Sequence, residues 1–454
     1  MAIEETMLYN EINTIMTTGP KPVMKRWEAI IHANGEDVQA IYVEDRDRDC
    51  NFLTDYAPAI LLRAVFPAGI AQFKIIPYRS NLEMTIKVYP QTETNPPSDD
   101  KTQPVRVYRY RATLESNTSK VLEGNQPHLI DQHVADKADL QTLQFQLLDL
   151  NIERMRMISI GGIYRNCTAV DLIRYLLTTH SQTKHTDSAV AIKGVTVAPG
   201  YTKDVRKHII LEDHTPLMDA PRQIESKTSG VYSAGFEYYL YGNYWFLFAP
   251  FDTTAYQKAQ KTMTLINVPA NRFPEPERSY RETPTQLLVL ATGNIKHTDT
   301  SEQAQLNLGN GVSFVDANMV MQYATVENNK ATVKRALNVS DGVAQQRDNG
   351  LNLVRASPKR ITANYLAEYS QLARRTGSFI QAIWEHSNPD LVYPGMPVKY
   401  MYLQNHQVEE VYGVLVGIHD YDLPVTINVQ NRRLQTKSVL TVFIDRKVVI
   451  NPKV

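Results

Sequence analysis

Leu82-Glu83-Met84-Thr85-Ile86-Lys87-Val88 alternates apolar and polar side chains without a break. Successive side chains on a strand point to opposite faces, so this run predicts a strand with one face buried and the other in water. Working outward, Leu143, Phe145 and Leu147 alternate with Gln144 and Gln146 in the same way. Asn34-Gly35 lies between residues 27–33 and 38–44 and is a strong hairpin signal, because both residues tolerate the positive φ of a tight mirror-image turn. Residues 73–78 read as a further strand turning at Arg79-Ser80-Asn81. The first ~160 residues therefore read mainly as antiparallel sheet.

The character changes at Gly161-Gly162. Val170, Ile173, Leu176 and Leu177 have helical spacing, with Thr168 as the expected N-cap. A second helix is expected from Thr215-Pro216 toward Ser229-Gly230. Then comes Phe236-Glu-Tyr-Tyr-Leu-Tyr241, a Gly242-Asn243 turn, and Tyr244-Trp-Phe-Leu-Phe248, an aromatic hairpin with rings on both faces. One face can enter a core, and the other needs a second cover. Burial on both sides within one subunit is one reading; the other is that Tyr239, Tyr241, Tyr244 and Trp245 form an interface, where Tyr and Trp are enriched. From residue 262 the chain is strand-rich again, with strands expected at 378–386, 398–403, 410–418 and 438–444 and one helix at 362–375. Residues 90–104 carry four prolines and no aliphatic side chain and are expected to be disordered, while 297–350 is largely polar.

Hydrophobic residues make up 43% of the 454 and charged residues 21%, as in an ordinary globular chain of several domains. Lys+Arg and Asp+Glu are both 48, so there is none of the positive surplus of a dedicated nucleic-acid or anionic-membrane binder. Weak self-repulsion at zero net charge suits a chain that assembles. The two cysteines, Cys50 and Cys167, exclude a disulfide framework and a C-x-x-C site. The acidic start and the lack of an apolar run of ~20 residues point to a product of the cytosol with no signal peptide and no membrane insertion.

Catalytic signatures are absent from the sequence: there is no phosphate loop, no H-E-x-x-H and no nucleophile elbow, Gly230–Gly235 being one residue too long for it. His208, Asp213, His214 and Asp219 could suggest a metal, but Glu212-Asp213-His214-Thr215 reads better as the capped start of a helix. Arg46-Asp47-Arg48-Asp49 reads as an exposed turn or edge. No catalytic residue, metal ligand or cofactor is expected.

Several phrases, in order over about residues 155–420, resemble the central hub protein of contractile-tailed bacteriophage baseplates. They are Gly161-Gly-Ile-Tyr-Arg-Asn-Cys-Thr168, His214-Thr-Pro-Leu-Met-Asp-Ala-Pro221, Tyr244-Trp-Phe with Phe251-Asp-Thr253, Thr264-Leu-Ile-Asn-Val-Pro-Ala-Asn-Arg272 with Arg278-Ser-Tyr280, and Pro394-Gly-Met-Pro-Val-Lys-Tyr400 before Gly413-Val-Leu. The resemblance implies a mainly β chain with an α+β insert: two tail-tube-like antiparallel barrels flanking a smaller mixed domain. The corresponding divisions are an N-terminal arm (1–21), a first β-barrel-like domain (22–162), the insert (163–261) and a second barrel-like domain with one flanking helix (262–454). It also implies a non-enzymatic homotrimer in the virion tail that adapts a hexameric tube to a trimeric spike. Its partners would be the tail tube, spike and other baseplate proteins, and DNA would pass without being bound. The residues by themselves leave open a tail-associated cell-wall hydrolase or a carbohydrate-binding module built on the aromatic hairpin.

Overall fold

The computed structural model describes residues 3–22, 24–91, 106–115, 140–181, 190–228, 230–232, 234–268, 277–299, 343–344, 354–355, 377–404, 407–425 and 433–445. The expected helix at 362–375, residues 92–104 of the proline-rich segment and most of the polar span lie outside them.

After helix α1 (Ile3–Thr18), the chain forms β1 (Met24–Ala33), β2 (Glu36–Gln39), β3 (Tyr42–Asn51), β4 (Ala59–Pro67), β5 (Leu82–Gln91), β6 (Arg106–Glu115) and β7 (Leu140–Asp149). The alternating run lies in β5, with Leu82, Met84, Ile86 and Val88 buried. Ala33 pairs with Glu36 across the Asn34-Gly35 turn, where φ is 50° and 81°. Residues 73–78 are not a strand. They continue α2 (Ala68–Ile70) as π and 3-10 turns to Tyr78, with Ala71 and Ile75 turned inward and Phe73 outward. That inward spacing of four is helical, and it overrides the β preference of a short apolar run.

The middle region contains α3 (Leu150–Arg156), β8 (Ser159–Cys167), α4 (Ala169–Ser181), β9 (Gly194–Val197), β10 (Arg206–Pro216), α5 (Ala220–Lys227), β11 (Glu237–Tyr241) and β12 (Tyr244–Phe248). Thr168 caps α4: its Oγ1 accepts the Asp171 N–H at 3.1 Å and donates to the Asp171 carboxylate at 2.7 Å. Residues 212–215 do not cap a helix. They form a bulge in β10 against β8, with His214 at φ 65°, and α5 starts only at Ala220. The bulge presses so close to β8 that a Cβ on Gly161 would lie 2.6 Å from Asp213 Oδ1.

The remainder comprises β13 (Thr262–Asn267), β14 (Tyr280–Glu282), β15 (Gln286–Asp299), β16 (Val343–Ala344), β17 (Val354–Arg355), β18 (Gly377–Trp384), β19 (Pro397–Gln404), β20 (Gln407–Pro424) and β21 (Leu434–Asp445). The described chain is mainly β, and its largest sheet draws strands from both ends of the sequence. Its pairings close two circuits. One runs β1-β5-β6-β7-β4-β3-β20-β21 and returns to β1 through Lys25 and Leu434. The other runs β13-β19-β20-β21-β18-β15 and back to β13. The β20–β21 pair belongs to both.

Each circuit encloses its own core: Trp27, Ile31, Leu62, Phe66, Met84 and Phe145 in the first, Leu265, Val289, Trp384, Tyr400, Leu415 and Val442 in the second. β20 can serve both because it shifts register on β21 between Leu415 and Gly417. Before the shift it lies between β19 and β21; after it, between β3 and β21. Gly413 permits the approach, since a Cβ there would stand 2.2 Å from the Phe443 carbonyl oxygen. Outside the second circuit, Leu8, Ile12 and Ile15 of α1 pack on Ile266, Leu288, Leu290 and Met401, so residues 3–18 are a docked helix. Among the described residues no helix is long and apolar enough to cross a membrane.

Candidate functional site

Two seams hold the circuits and the middle region together. The first is the aromatic hairpin. β11 and β12 turn at Gly242 and Asn243, with φ 58° and 68°, and pair Tyr238 with Leu247 and Leu240 with Trp245. These four side chains enter the core of the middle region with Ile173, Leu177 and Ile224. Tyr239, Tyr241 and Phe248 enter the second circuit's core beside Phe52, Trp384 and Tyr400. The second cover that a two-faced hairpin needs is therefore the same chain.

Three of the four expected interface residues, Tyr239, Tyr241 and Trp245, are accordingly buried within the chain. Their rings cannot touch another subunit without opening a core. Tyr244 alone is exposed, at 40%, with the Lys193 ammonium 6.0 Å from its ring centre. Three of the buried rings use their polar tips: Tyr241 donates to Pro389 O at 2.9 Å, Trp245 Nε1 to Ser181 Oγ at 3.3 Å, and Tyr238 to Met218 O, whereas the buried Tyr239 hydroxyl has no hydrogen-bond partner among the described residues. Gly395, at φ 75°, lies against Phe248, where a Cβ would stand 2.5 Å from the Phe248 Cβ.

The second seam is polar. Arg46-Asp47-Arg48-Asp49 is not an exposed turn or edge but the middle of β3, between β4 and β20. Arg46 and Arg48 share the inward face, opposite Asp422 and Asp420 of β20, and these face Thr436 and Ser438 of β21. Arg48 Nε donates to Asp420 Oδ2 at 2.7 Å, and Ser438 donates to Asp420 Oδ1 at 2.5 Å. Arg46 Nε stands 2.6 Å from Asp422 Oδ2, a close ion pair whose N–H is not aligned for a hydrogen bond, and Thr436 donates to Asp422 Oδ1 at 2.5 Å. Asp420 and Asp422 are fully buried. Arg46 also stacks on Trp27 in the first core, while Arg48 donates to Tyr241 Oη at 3.1 Å in the hairpin. Burial opposes the charge of Arg48, but Asp420, with Tyr241 and Cys50 acting in the same direction, more than offsets it and holds the arginine well above its usual pKa.

On the outer face, Asp47 pairs with His419, whose ring stacks on Tyr421 with centres 4.2 Å apart. This face borders a groove of about 850 Å³ lined by Asp49, His419, Tyr421, Glu225 and Glu237. Burial, then the neighbouring Glu237, push the Glu225 carboxyl up to about 8, with Arg222 acting the other way. Burial likewise pushes the Cys50 thiol up to about 12, far from the range of a reactive thiolate.

Among the described residues no three His, Cys, Asp or Glu side chains stand together as metal ligands. His208 lies opposite Arg165 in the β8–β10 ribbon, His214 projects from its bulge, and Asp219 accepts the Tyr56 hydroxyl at 2.9 Å. The arrangement holds parts of the chain in register across three strands. The ladder was missed in the sequence because its halves are 372 residues apart. The only local trace was the strict alternation of Arg and Asp at 46–49.

No family model matches the chain, and no curated protein matches it. The solved structures similar to it are tail proteins and related assemblies. A tail protein from Neisseria meningitidis has 12% identity and a TM-score of 0.44, over 92% of this chain and 96% of that one. The 43 kDa tail protein of prophage MuSo2 from Shewanella oneidensis has 11% identity and a TM-score of 0.46, over 93% and 99%. An E. coli component of the type VI secretion system has 8% identity and a TM-score of 0.35, over 93% and 74%.

Proposed function

We propose that the chain is a structural, non-enzymatic component of a phage tail: a homotrimeric baseplate hub in which two barrels per subunit adapt a hexameric tube to a trimeric spike. The supporting observation is that one chain closes two strand circuits around separate cores and shares a single strand pair between them. Three such chains would present six barrel-like units with three-fold symmetry, which is the geometry that a change from six-fold to three-fold symmetry requires. Closed circuits leave few free edges, so subunits can meet through chosen surfaces rather than by open-ended strand addition.

On this reading 22–162 supplies most of the first barrel, which closes through the β20–β21 pair of 262–454, the second barrel is built from 262–454, and 163–261 is the insert that braces them. Tyr244 then belongs to a surface facing another tail protein, and DNA passes through the assembled lumen without specific contacts. The near-equality of acidic and basic residues favours a conduit that does not trap phosphate.

Light scattering on the purified chain tests this directly. A mass three times that of the 51.6 kDa chain, with ring-shaped particles in electron micrographs, is the expected result. A monomer at high concentration that clears peptidoglycan in a zymogram would overturn the proposal in favour of a cell-wall hydrolase.

A further inference from the structure

β8 and β10 form a two-stranded ribbon that no other described strand joins. One face of β8, with Ile160 and Tyr164, packs on the core of the middle region. The other carries Gly161, Ile163 and Arg165, which alternate with the packed residues and are all exposed. Ile163 is 58% exposed and stands directly opposite Ile210 of β10, which is 55% exposed. An apolar cross-strand pair in water, beside a strand edge without a partner, is what an added strand would cover.

Two charges on the same face select the strand that fits. Arg165 lies two residues to one side of Ile163, and Gly161 lies two residues to the other. Gly161 has no side chain, and the exposed Asp213 carboxylate occupies its place: a Cβ there would stand 2.6 Å from Asp213 Oδ1. Along β8 the face therefore runs acid, isoleucine, arginine. Neither the Arg165 nor the Asp213 side chain has a hydrogen bond or ion pair among the described residues. A second β8 laid antiparallel, Ile163 against Ile163, puts each Arg165 opposite the other copy's Gly161 and so beside its Asp213. A slip of two residues either way sets Ile163 against Arg165 or Gly161 and loses both charge pairs.

We propose that the free edge of β8 docks β8 of a second copy of this chain, giving a four-stranded sheet β10-β8-β8-β10 about a two-fold axis. Each contact is self-complementary and is saturated by a single partner. The inference does not depend on the hub reading, since the edge pairs copies two by two whether the chain is otherwise single or trimeric.

Sedimentation velocity on the full-length protein, from about 1 to 500 µM, decides it. One strand pair is a small interface, so the mass should double toward the upper end of that range, from one chain to two or from three to six. Arg165→Asp and Asp213→Arg each set like charges against one another twice, and each should weaken the doubling at least tenfold. An equimolar mixture of the two variants should regain it, because every reversed charge then meets its opposite in the other variant. That recovery also shows both variants to be folded. No doubling of the parent protein, doubling that survives either charge reversal, or a mixture no better than its components would overturn the proposal.

Discussion

The two seams join neighbouring parts of the molecule by opposite means. The hairpin seam is almost wholly apolar, with rings filling the cores on both sides of a two-stranded ribbon. The ladder seam places Arg46 and Arg48 against Asp422 and Asp420 over three strands. Apolar contact is strong but indifferent to register. A one-residue slip in the ribbon would still set ring against ring. The same slip between β3 and β20 would turn Asp47 and Asp49 toward Asp420 and Asp422 and bury like charges together. The difference suggests a division of labour: the hairpin supplies cohesion, and the ladder selects the one register in which β20 can serve both circuits.

The largest test of that contrast is Asp420→Ala. It strands the Arg48 guanidinium in a buried site and should cost about 3–5 kcal/mol in denaturant unfolding. Replacing both partners, Arg48→Met with Asp420→Leu, should recover most of that loss. If the double variant is as unstable as the single one, the ladder contributes cohesion as well as register.

On the hairpin side, Trp245→Phe keeps a ring but loses volume and the bond to Ser181, so about 1–2 kcal/mol should be lost in the same assay. A smaller effect would mean that the middle-region core can close around the gap.

Glu225 gives a test by pH. With its carboxyl at about 8 in the folded chain against an ordinary 4.5, the folded state holds a proton that the unfolded state has released. Its stabilising contribution is complete below about 4.5 and is lost as the pH rises through about 8. Glu225→Gln should flatten the fall in melting temperature over that window, with a gain on the order of 1 kcal/mol at pH 9 after allowing for partial solvent contact. An unchanged pH profile would remove Glu225 from the account.

The smallest effect on folding is expected at Tyr244. Tyr244→Ala should change unfolding by no more than about 0.5 kcal/mol. If it weakens self-association at the same time, the exposed end of the hairpin is separated in function from its buried rings.

Period-two alternation determined the strand at 82–88 by itself, and positive-φ turn residues determined the hairpins at 34–35 and 242–243, because both signals act between near neighbours. The Thr168 cap was legible for the same reason. The aromatic run at 236–248 showed that two covers were needed, but not that both lay in the same chain, since burial depends on contacts far away in sequence. The charge alternation at 46–49 was visible, yet its meaning depended on Asp420 and Asp422. An Arg and an Asp side by side on a strand look solvated until a distant strand supplies the counter-charge and excludes water. Local periodicity thus set the elements, while long-range pairing decided which faces became seams.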